Sequence, residues 1–458
     1  MRPADAYSGG DWSRQLGTDG ADGALGVSAD GFGNVYISGF TRGSLGGPNA
    51  GSGDAFVSKF DAAGNLLWAR QLGTAENDVS FAVSADALGN VYISGATEGD
   101  LNGPNVGTVD AFVSKYDANG VLKWTRQLGN TFDDLSWGVS ADDAGNVYIT
   151  GQSFGGLLEP QEAGSDGFVS KFDAAGNLLW TREPRTSYRD ILYGVSADRQ
   201  GNVYATGETA GAFDQSTNAG QLDAILIKLD DHGGRRWIRQ FGTPGVDQSF
   251  GVAADDFGNV YVAGGTNGNL GGPNAGGYDA FVRGYDAVGS LRWTTQFGTA
   301  GFEQCNGIVT DGLGNVFVSG FTEGDLSGGP GTGPYQAFIS KLDARGNLIW
   351  TRMFGSDGGS RGNGISTDNQ GNIYLAGIAR TDQFGENQSD DDAFVVKIVD
   401  VIPEPASWLQ AACATAAICW GRRFRGTLKS ARMDQSPKIP AGGNGRRREV
   451  SLQTRRQK

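Results

Sequence analysis

The amino-acid sequence predicts an all-β fold, a seven-bladed β-propeller of four-stranded antiparallel blades that is closed by its N-terminal strand. The first observation is a repeat of 56 or 57 residues marked by seven tryptophans: Trp12, Trp68, Trp124, Trp180, Trp237, Trp293 and Trp350. The second is an asparagine 22 residues after each of them: Asn34, Asn90, Asn146, Asn202, Asn259, Asn315 and Asn372. The third is a unit split between the two ends of the array. Two markers in one register through seven cycles indicate true internal repetition.

Each unit contains four short strand patterns. In the unit that starts at Asp78 the predicted strands are SFAVSA, NVYISGA, DAFVSKY and VLKWTRQL. The tight turns DALG and DANG join the first strand to the second and the third to the fourth, and a longer loop joins the second to the third. Aspartate supplies a side-chain hydrogen bond to the turn backbone, and glycine tolerates its positive φ. Four antiparallel strands per unit are typical of a propeller blade.

The two ends of the array each carry part of one unit. The seventh repeat runs through DDDAFVVK at 390–397 without a fourth strand, and the chain opens with that strand, DWSRQLG, at 11–17. The N-terminal strand is therefore expected to close the ring and to cover an edge open to aggregation. A superhelical solenoid has no reason to split a unit in this way. The predicted organisation is an N-terminal extension at 1–10, the propeller at 11–400, a sorting segment at 401–426 and a disordered basic tail at 427–458.

Charge divides the chain into two parts. Residues 401–458 hold 12 Lys and Arg against 3 Asp and Glu, which leaves 25 against 48 in residues 1–400. Because an acidic body repels phosphate backbones, nucleic acid is not expected as a partner. The propeller itself is expected to be a monomer.

The units resemble the SBBP (beta-propeller repeat) family. The resemblance rests on GNVYISG at 89–95, on DAFVSK at 110–115 and on the preceding SAD, and it covers about residues 11–400. It implies a bacterial or archaeal protein that is often secreted or attached to the surface, and it brings no known reaction.

After the propeller the chain reads VIPEPASWLQAACATAAICWGRRFRG at 401–426. The apolar run is shorter than the about 20 residues that span a bilayer. A motif, an apolar stretch and a positive flank occur in this order in sorting signals. The segment resembles a PEP-CTERM sorting segment through these residues: Pro403, Glu404 and Pro405 as the motif, and Arg422, Arg423 and Arg425 as the basic end. The resemblance implies an exosortase-type processing enzyme as partner, transient membrane contact, and delivery to the cell envelope or extracellular matrix. The alternative is a degenerate tail.

No catalytic constellation is recognised. The single histidine, His232, falls in the turn DDHGG at 230–234, where a solvated turn residue is expected rather than a base. Two GxSxG strings, at 151–155 and 358–362, lack the strand-to-helix context of a nucleophile elbow. The residues that occur in one blade only do not form a recognisable set: Glu159, Glu162, Arg185 and Arg189. A non-enzymatic protein is therefore predicted.

A carboxylate stands at the entry to the first strand of six blades, and Ser360 takes this position in the seventh. We call these six residues the acidic ring: Asp22, Asp78, Asp134, Asp190, Asp247 and Glu303. Propeller geometry places them near one mouth of the central channel, where carboxylates could bind Ca²⁺ or another hard cation. The favoured alternative is that each of them caps its own loop. No other cofactor is expected.

The long loops between second and third strands vary from blade to blade and lie on the same face as the acidic ring. Because function in propellers is grafted onto loops, a ligand is expected on this loop face. The predicted function is a non-enzymatic extracytoplasmic surface or matrix scaffold that binds a polysaccharide or a protein. One alternative is a glycan hydrolase or lyase that uses channel-mouth carboxylates. The other is an intracellular interaction platform.

Overall fold

The computed structural model of the protein describes residues 11–158, 164–214, 216–327, 335–355, 359–368, 370–380, 384 and 391–400. These residues form 28 strands in seven four-stranded antiparallel sheets, which confirms the predicted fold. Residues 401–458 are assigned to a separate unit and lie outside the described residues. The predicted sorting motif falls within this range. No helix in the described ranges has the length and apolar character needed to cross a bilayer.

The strand bounds repeat from blade to blade. Blade 1 consists of β2 (Asp22–Ala29), β3 (Val35–Thr41), β4 (Asp54–Phe60) and β5 (Leu66–Leu72). Blade 2 consists of β6 (Asp78–Ala85), β7 (Val91–Thr97), β8 (Asp110–Tyr116) and β9 (Leu122–Leu128). Blade 3 consists of β10 (Asp134–Ala141), β11 (Val147–Phe154), β12 (Ser165–Phe172) and β13 (Leu178–Arg182). Blade 4 consists of β14 (Asp190–Ala197), β15 (Val203–Thr209), β16 (Asp223–Leu229) and β17 (Arg235–Phe241).

The remaining blades follow the same order. Blade 5 consists of β18 (Asp247–Ala254), β19 (Val260–Thr266), β20 (Asp279–Tyr285) and β21 (Leu291–Phe297). Blade 6 consists of β22 (Glu303–Thr310), β23 (Val316–Thr322), β24 (Gln336–Leu342) and β25 (Leu348–Phe354). Blade 7 consists of β26 (Ser360–Thr367), β27 (Asn372–Ala379), β28 (Asp392–Val399) and the N-terminal β1 (Trp12–Leu16).

The first strands of the blades surround the axis, because each one contacts the first strands of both neighbouring blades, and β26 contacts β2. The second and third strands are buried along almost their whole length, as in β7 and β8. Strands covered on both faces require such continuous apolar runs. The fourth strands form the rim, where β9 begins with exposed residues.

The tight turns explain why Asp, Gly and Asn recur together. Asp30 Oδ1 accepts hydrogen bonds from the backbone N–H groups of Phe32 and Asn34, both at 2.9 Å. The Asn34 amide donates to Asp30 Oδ2 at 2.7 Å, and Gly33 adopts a φ of 82°. The turn is thus fixed by its own side chains. All such turns lie on one face of the propeller, opposite the face that carries the long loops. We call the face with the turns the tight-turn face.

Neighbouring blades are joined at the rim by a tryptophan and an arginine. Trp68 Nε1 donates to the Ala118 carbonyl at 3.2 Å, and Arg70 Nε donates to the Gly120 carbonyl at 2.8 Å. A Cβ atom at Gly120 would lie 2.8 Å from the Trp68 ring, so only glycine fits there. The repeating tryptophan therefore clamps each blade onto a turn of the next.

The N-terminal strand closes the ring, as predicted. β1 pairs antiparallel with β28, from Trp12 opposite Lys397 to Leu16 opposite Ala393. Blade 7 also bonds directly to blade 1, because the Ala29 N–H donates to Ser366 Oγ at 3.0 Å. Closure pairs the free edge of β28.

Candidate functional site

The acidic ring lies at the loop-face ends of the first strands, where all six side chains are buried. Each carboxylate accepts a hydrogen bond of 2.5–2.7 Å from the backbone N–H four residues earlier. The donors are Thr18, Thr74, Asn130, Thr186, Thr243 and Thr299. This geometry supports loop capping. Within the described ranges, no three His, Cys, Asp or Glu side chains come close enough together to hold a metal ion.

Each ring carboxylate has a second buried acid beside it, contributed by the preceding blade. At one seam, a Cβ atom on Gly298 would lie 2.4 Å from Asp279 Oδ1 and 2.8 Å from Glu303 Oε2. The six pairs are Asp392 with Asp22, Asp54 with Asp78, Asp110 with Asp134, Asp166 with Asp190, Asp223 with Asp247, and Asp279 with Glu303.

The seam between blades 6 and 7 lacks both acids of this pair. Gln336 and Ser360 occupy the two positions, and a Cβ atom on Gly355 would lie about equally close to both, at 2.9 and 3.1 Å. Ser360 Oγ donates to the Phe354 carbonyl at 2.7 Å. Gln336 and Ser360 therefore belong to one local difference, in which neutral side chains stand in place of both carboxyl groups of a pair.

Burial raises the pKa values of four carboxyl groups of the acidic ring. It raises the pKa of Asp134 to about 7, against the hydrogen bonds of Ser153 and Asn130, and the neighbouring Asp110 adds to the rise. Burial likewise raises the pKa values of Asp22, Asp78 and Asp190. A carboxyl group in an apolar surrounding next to a second one favours its neutral form.

The repeat breaks at the loop-face end of the second strands. The residues paired with the second position of each first strand are Phe40, Ala96, Gln152, Glu208, Gly265, Phe321 and Ile378. At the tight-turn face the corresponding positions repeat Asp, Gly and Asn with little change. Six residue types therefore occupy this one position of the seven blades, around one mouth of the channel.

Glu208 and three further side chains at this mouth form a connected group that we call the mouth network: Arg189, Glu208, Gln248 and Tyr278. Glu208 is 0% exposed and makes an ion pair of 2.7 Å with Arg189, whose side chain is 49% exposed. Gln248 donates to the other oxygen of Glu208, and the Tyr278 hydroxyl donates to Gln248 Oε1 at 2.8 Å. A buried carboxylate is thus held by one hydrogen bond from Gln248 and by an ion pair with Arg189, whose side chain reaches solvent.

Stacked aromatic rings continue the mouth network toward blade 7. The Tyr278 and Phe302 rings lie 4.8 Å apart and nearly parallel, and the Phe302 and Phe321 rings follow at 5.7 Å. The Arg361 guanidinium lies 5.0 Å from the centre of the Phe321 ring and 4.4 Å from that of Tyr335. The stack presents a second, exposed arginine at the loop face.

An aromatic arc lies deeper, at the bulge of the first strands in blades 2 to 5. Successive ring centres of Phe81, Trp137, Tyr193 and Phe250 are 4.4, 6.0 and 5.1 Å apart. In blades 6 and 7 asparagines take this position, and they donate to backbone carbonyls of the next blade at 3.0 and 2.9 Å. Because the first strands surround the axis, one side of the channel is aromatic and the other is polar.

The structure assigns places to the unusual residues noted in the sequence. Arg189 joins the mouth network, whereas Arg185 lies 3.7 Å from Asp166 at the seam between blades 3 and 4. Glu159 and Glu162 lie outside the described residues. The His232 side chain is 92% exposed in its turn.

Sequence reasoning missed the other three members of the network, Glu208, Gln248 and Tyr278. They come from three positions of the repeat that are far apart along the chain. The available signal was the column of seven equivalent residues, in which Glu208 is the only acid.

Seven four-stranded blades in a closed ring define a β-propeller repeat protein. Four stretches match the SBBP (beta-propeller repeat) family, at residues 67–102, 123–159, 236–271 and 292–327. These matches agree with the resemblance that the repeat motifs indicated.

Two relatives cover most of the chain. The regulatory protein FlaEY of Caulobacter vibrioides is 26% identical over 412 residues, which are 80% of this chain and 42% of that protein. The uncharacterized WD repeat-containing protein L264 of Acanthamoeba polyphaga mimivirus is 21% identical over 495 residues, 80% of this chain and 36% of that protein. The chain thus spans about two fifths of the length of these relatives.

Among solved structures, the WD40 domain of Neurospora crassa Pan2 aligns with a TM-score of 0.49 and 12% identity over 86% of this chain and 98% of that one. The β-propeller domain of the Trilobed protease from Pyrococcus furiosus aligns with a TM-score of 0.42 and 7% identity, over 88% and 99% of the two chains.

Proposed function

We propose that the protein is a non-enzymatic scaffold of the cell surface or extracellular matrix, and that its ligand binds at the loop-face mouth of the channel. One observation carries this proposal. One position at this mouth holds six residue types in seven blades, and the mouth network lies beside it, whereas the tight-turn face largely repeats Asp, Gly and Asn. A structural role is served equally by every blade, but a ligand requires particular side chains in particular places.

A polysaccharide is the ligand that the mouth suits best. Sugar rings offer apolar faces and many hydroxyl groups, so their sites combine aromatic surfaces with a few fixed polar groups. Here the half-buried rings of the aromatic arc lie on first strands, and one of these strands, β18, also carries Gln248 of the mouth network. Arg189 of the same network reaches solvent. A protein ligand is the second candidate.

The proposed location is extracytoplasmic. It is supported by the sequence pattern of residues 401–426, in which Pro403, Glu404 and Pro405 precede an apolar run and an arginine cluster. An exosortase-type enzyme is the partner that this pattern implies. The loop face is then the surface offered to matrix components.

Binding to a glycan and exopolysaccharide array tests the proposal, with the full-length protein assayed in the presence and absence of Ca²⁺. The double variant Arg189→Gln with Glu208→Gln removes the buried ion pair and keeps side chains able to bond each other, so we expect at least about tenfold weaker binding. Arg199→Gln with Asp256→Asn removes an exposed 2.9 Å ion pair at the tight turns and serves as the matched control. Equal loss in both variants would contradict a loop-face site.

The same assay addresses the two remaining alternatives. Release of shorter glycans from a bound polysaccharide, measured by chromatography, would contradict the non-enzymatic proposal. Dependence of binding on Ca²⁺ would give the acidic ring or its partner acids a role in ion binding as well as loop capping.

A further inference from the structure

The third strand of blade 5 carries an arginine at a position where every other blade has a small or apolar residue. The equivalents of Arg283 are Ser58, Ser114, Ser170, Ile227, Ser340 and Val396. The next residue is Gly284, where the other six blades have a lysine: Lys59, Lys115, Lys171, Lys228, Lys341 and Lys397. Adjacent residues of a strand face opposite sides of the sheet. The cation of blade 5 therefore faces the seam with blade 4, whereas a lysine at position 284 would face the seam with blade 6.

Arg283 lies in a cavity between blades 4 and 5. The cavity has a volume of about 400 Å³ and is lined by Arg239, Arg283, Tyr285 and Ser290, among others. The guanidinium carbon of Arg283 stands 4.1 Å from the centre of the Phe241 ring. This stacking holds the planar group in place and leaves its edge for hydrogen bonding.

Arg283 and Tyr285 each place one buried polar atom in this cavity. Arg283 Nε and the Tyr285 hydroxyl are both buried, and neither has a hydrogen-bond partner among the described residues. No carboxylate of the described residues makes an ion pair with Arg283 either. A buried cation or hydroxyl without a partner is unfavourable, and an anion would satisfy both.

Arg239, the second arginine of the cavity, already donates hydrogen bonds to backbone carbonyls of blade 5. Arg239 donates from Nε to the Gly289 carbonyl at 2.7 Å and from Nη2 to the Val288 carbonyl at 3.1 Å. It therefore fixes the wall of the cavity and adds positive charge, while the Nε donor of Arg283 has no hydrogen-bond partner among the described residues. Burial raises the pKa of the Tyr285 phenol, so its hydroxyl keeps its proton and can donate.

We propose that this cavity binds one small oxyanion, the carboxylate, sulfate or phosphate group of a ligand, with the Arg283 guanidinium and the Tyr285 hydroxyl as its donors. A guanidinium presents parallel N–H groups that match two oxygens of such an anion. The protein as a whole carries a net charge of −14, so its overall field does not attract anions and the site depends on local donors. The site lies at the side of the ring and is independent of the loop-face ligand.

The test is titration of the full-length protein with sodium sulfate, sodium phosphate, sodium acetate and sodium glucuronate at constant ionic strength, followed by calorimetry. We expect saturable binding of at least one anion to the native protein, and binding at least about tenfold weaker in Arg283→Ser. This variant carries the residue found in four other blades, so the fold should be retained. Arg292→Ser is the matched control, because it removes one positive charge from an exposed neighbour that pairs with Asp286.

Tyr285→Phe provides a second variant that leaves the cation in place, and we expect several-fold weaker binding from the loss of one donor. Tighter binding of glucuronate than of the inorganic anions would identify an acidic sugar as the source of the group, and the reverse order would identify a free anion. Absence of saturable binding up to about 10 mM, or equal affinity of Arg283→Ser and the native protein, would overturn the proposal.

Discussion

The raised pKa of a buried carboxyl group makes the stability of the propeller depend on pH. A carboxyl group that ionises at pH 3.8 in the unfolded chain but near pH 7 when folded binds a proton on folding between those values. Its contribution to stability is therefore full below about pH 4 and is lost as the pH rises through 7. Asp134, with Asp110 beside it, is the clearest case.

Asp134→Asn should remove this dependence. The amide keeps the acceptor oxygen for the Asn130 N–H and places a donor next to Asp110. We expect the native protein to lose a few kcal/mol of unfolding free energy between pH 4 and pH 8, at about 1.4 kcal/mol for each unit of pKa shift, and the variant to lose less. Chemical denaturation across this pH range measures the difference.

Asp61→Asn is a control with the opposite sign. The hydrogen bonds of Asn65 lower the pKa of the exposed Asp61, so its contribution is present above about pH 4 and is lost on acidification. This variant should alter only the acid limb of the stability profile. Identical profiles for Asp134→Asn and the native protein would contradict a raised pKa of Asp134.

The roles of individual residues could be predicted from the sequence where those residues recur in every blade. The turn residues Asp30, Gly33 and Asn34 recur in each blade, and their roles follow from local turn chemistry. The ring carboxylates were placed at the entry of the first strands from spacing alone. Their partners from the preceding blade could not be predicted, because that contact is made by the stacking of blades and not by the order of the chain.

At the scale of elements, the N-terminal strand has the largest consequence. β1 is the one strand that joins its blade from the opposite end of the chain, and its Trp12 indole donates to the Ala62 carbonyl of blade 1 at 3.0 Å. It thus completes blade 7 and clamps that blade onto blade 1. The split repeat made this closure predictable, since neither partial unit can bury its faces alone.

Removal of residues 1–17 should expose the edge of β28. We expect a lower melting temperature and concentration-dependent self-association, because an unpaired strand edge pairs with other chains. A synthetic peptide of residues 11–17 should restore the monomer, whereas a scrambled peptide should not. A truncated protein that stays monomeric with an unchanged melting temperature would show that closure does not depend on β1.

The two faces of the whole molecule differ in how far they could be predicted. The tight-turn face repeats a local motif, whereas the mouth network joins Arg189, Glu208 and Gln248 from separate strands of two blades and the loop before them. Each of these residues is ordinary in its own segment, and only the closed ring brings them together. Comparison of the seven equivalent positions would have identified Glu208 as exceptional, but not its partners.

The proposed sorting of the protein is open to a direct test in a bacterial host that has an exosortase-type enzyme. Replacement of Pro403, Glu404 and Pro405 by alanine should leave the C-terminal segment unprocessed and keep the protein in the cell-associated fraction, because the processing enzyme loses its motif. Fractionation and intact mass measure both effects. The control Pro437→Ala with Pro440→Ala should be sorted normally, and unchanged sorting of the alanine variant would contradict a sorting role.

Hydrogen–deuterium exchange with and without the ligand found on the array tests the binding site most directly. If the ligand binds at the loop-face mouth, slower exchange is expected around residues 186–190, 207–211 and 246–248, and the tight turns at 30–34, 86–90 and 255–259 should be unaffected. Hydrogen exchange reports local opening, which a bound ligand suppresses where it makes contact. Protection confined to the tight-turn face would contradict the proposed site.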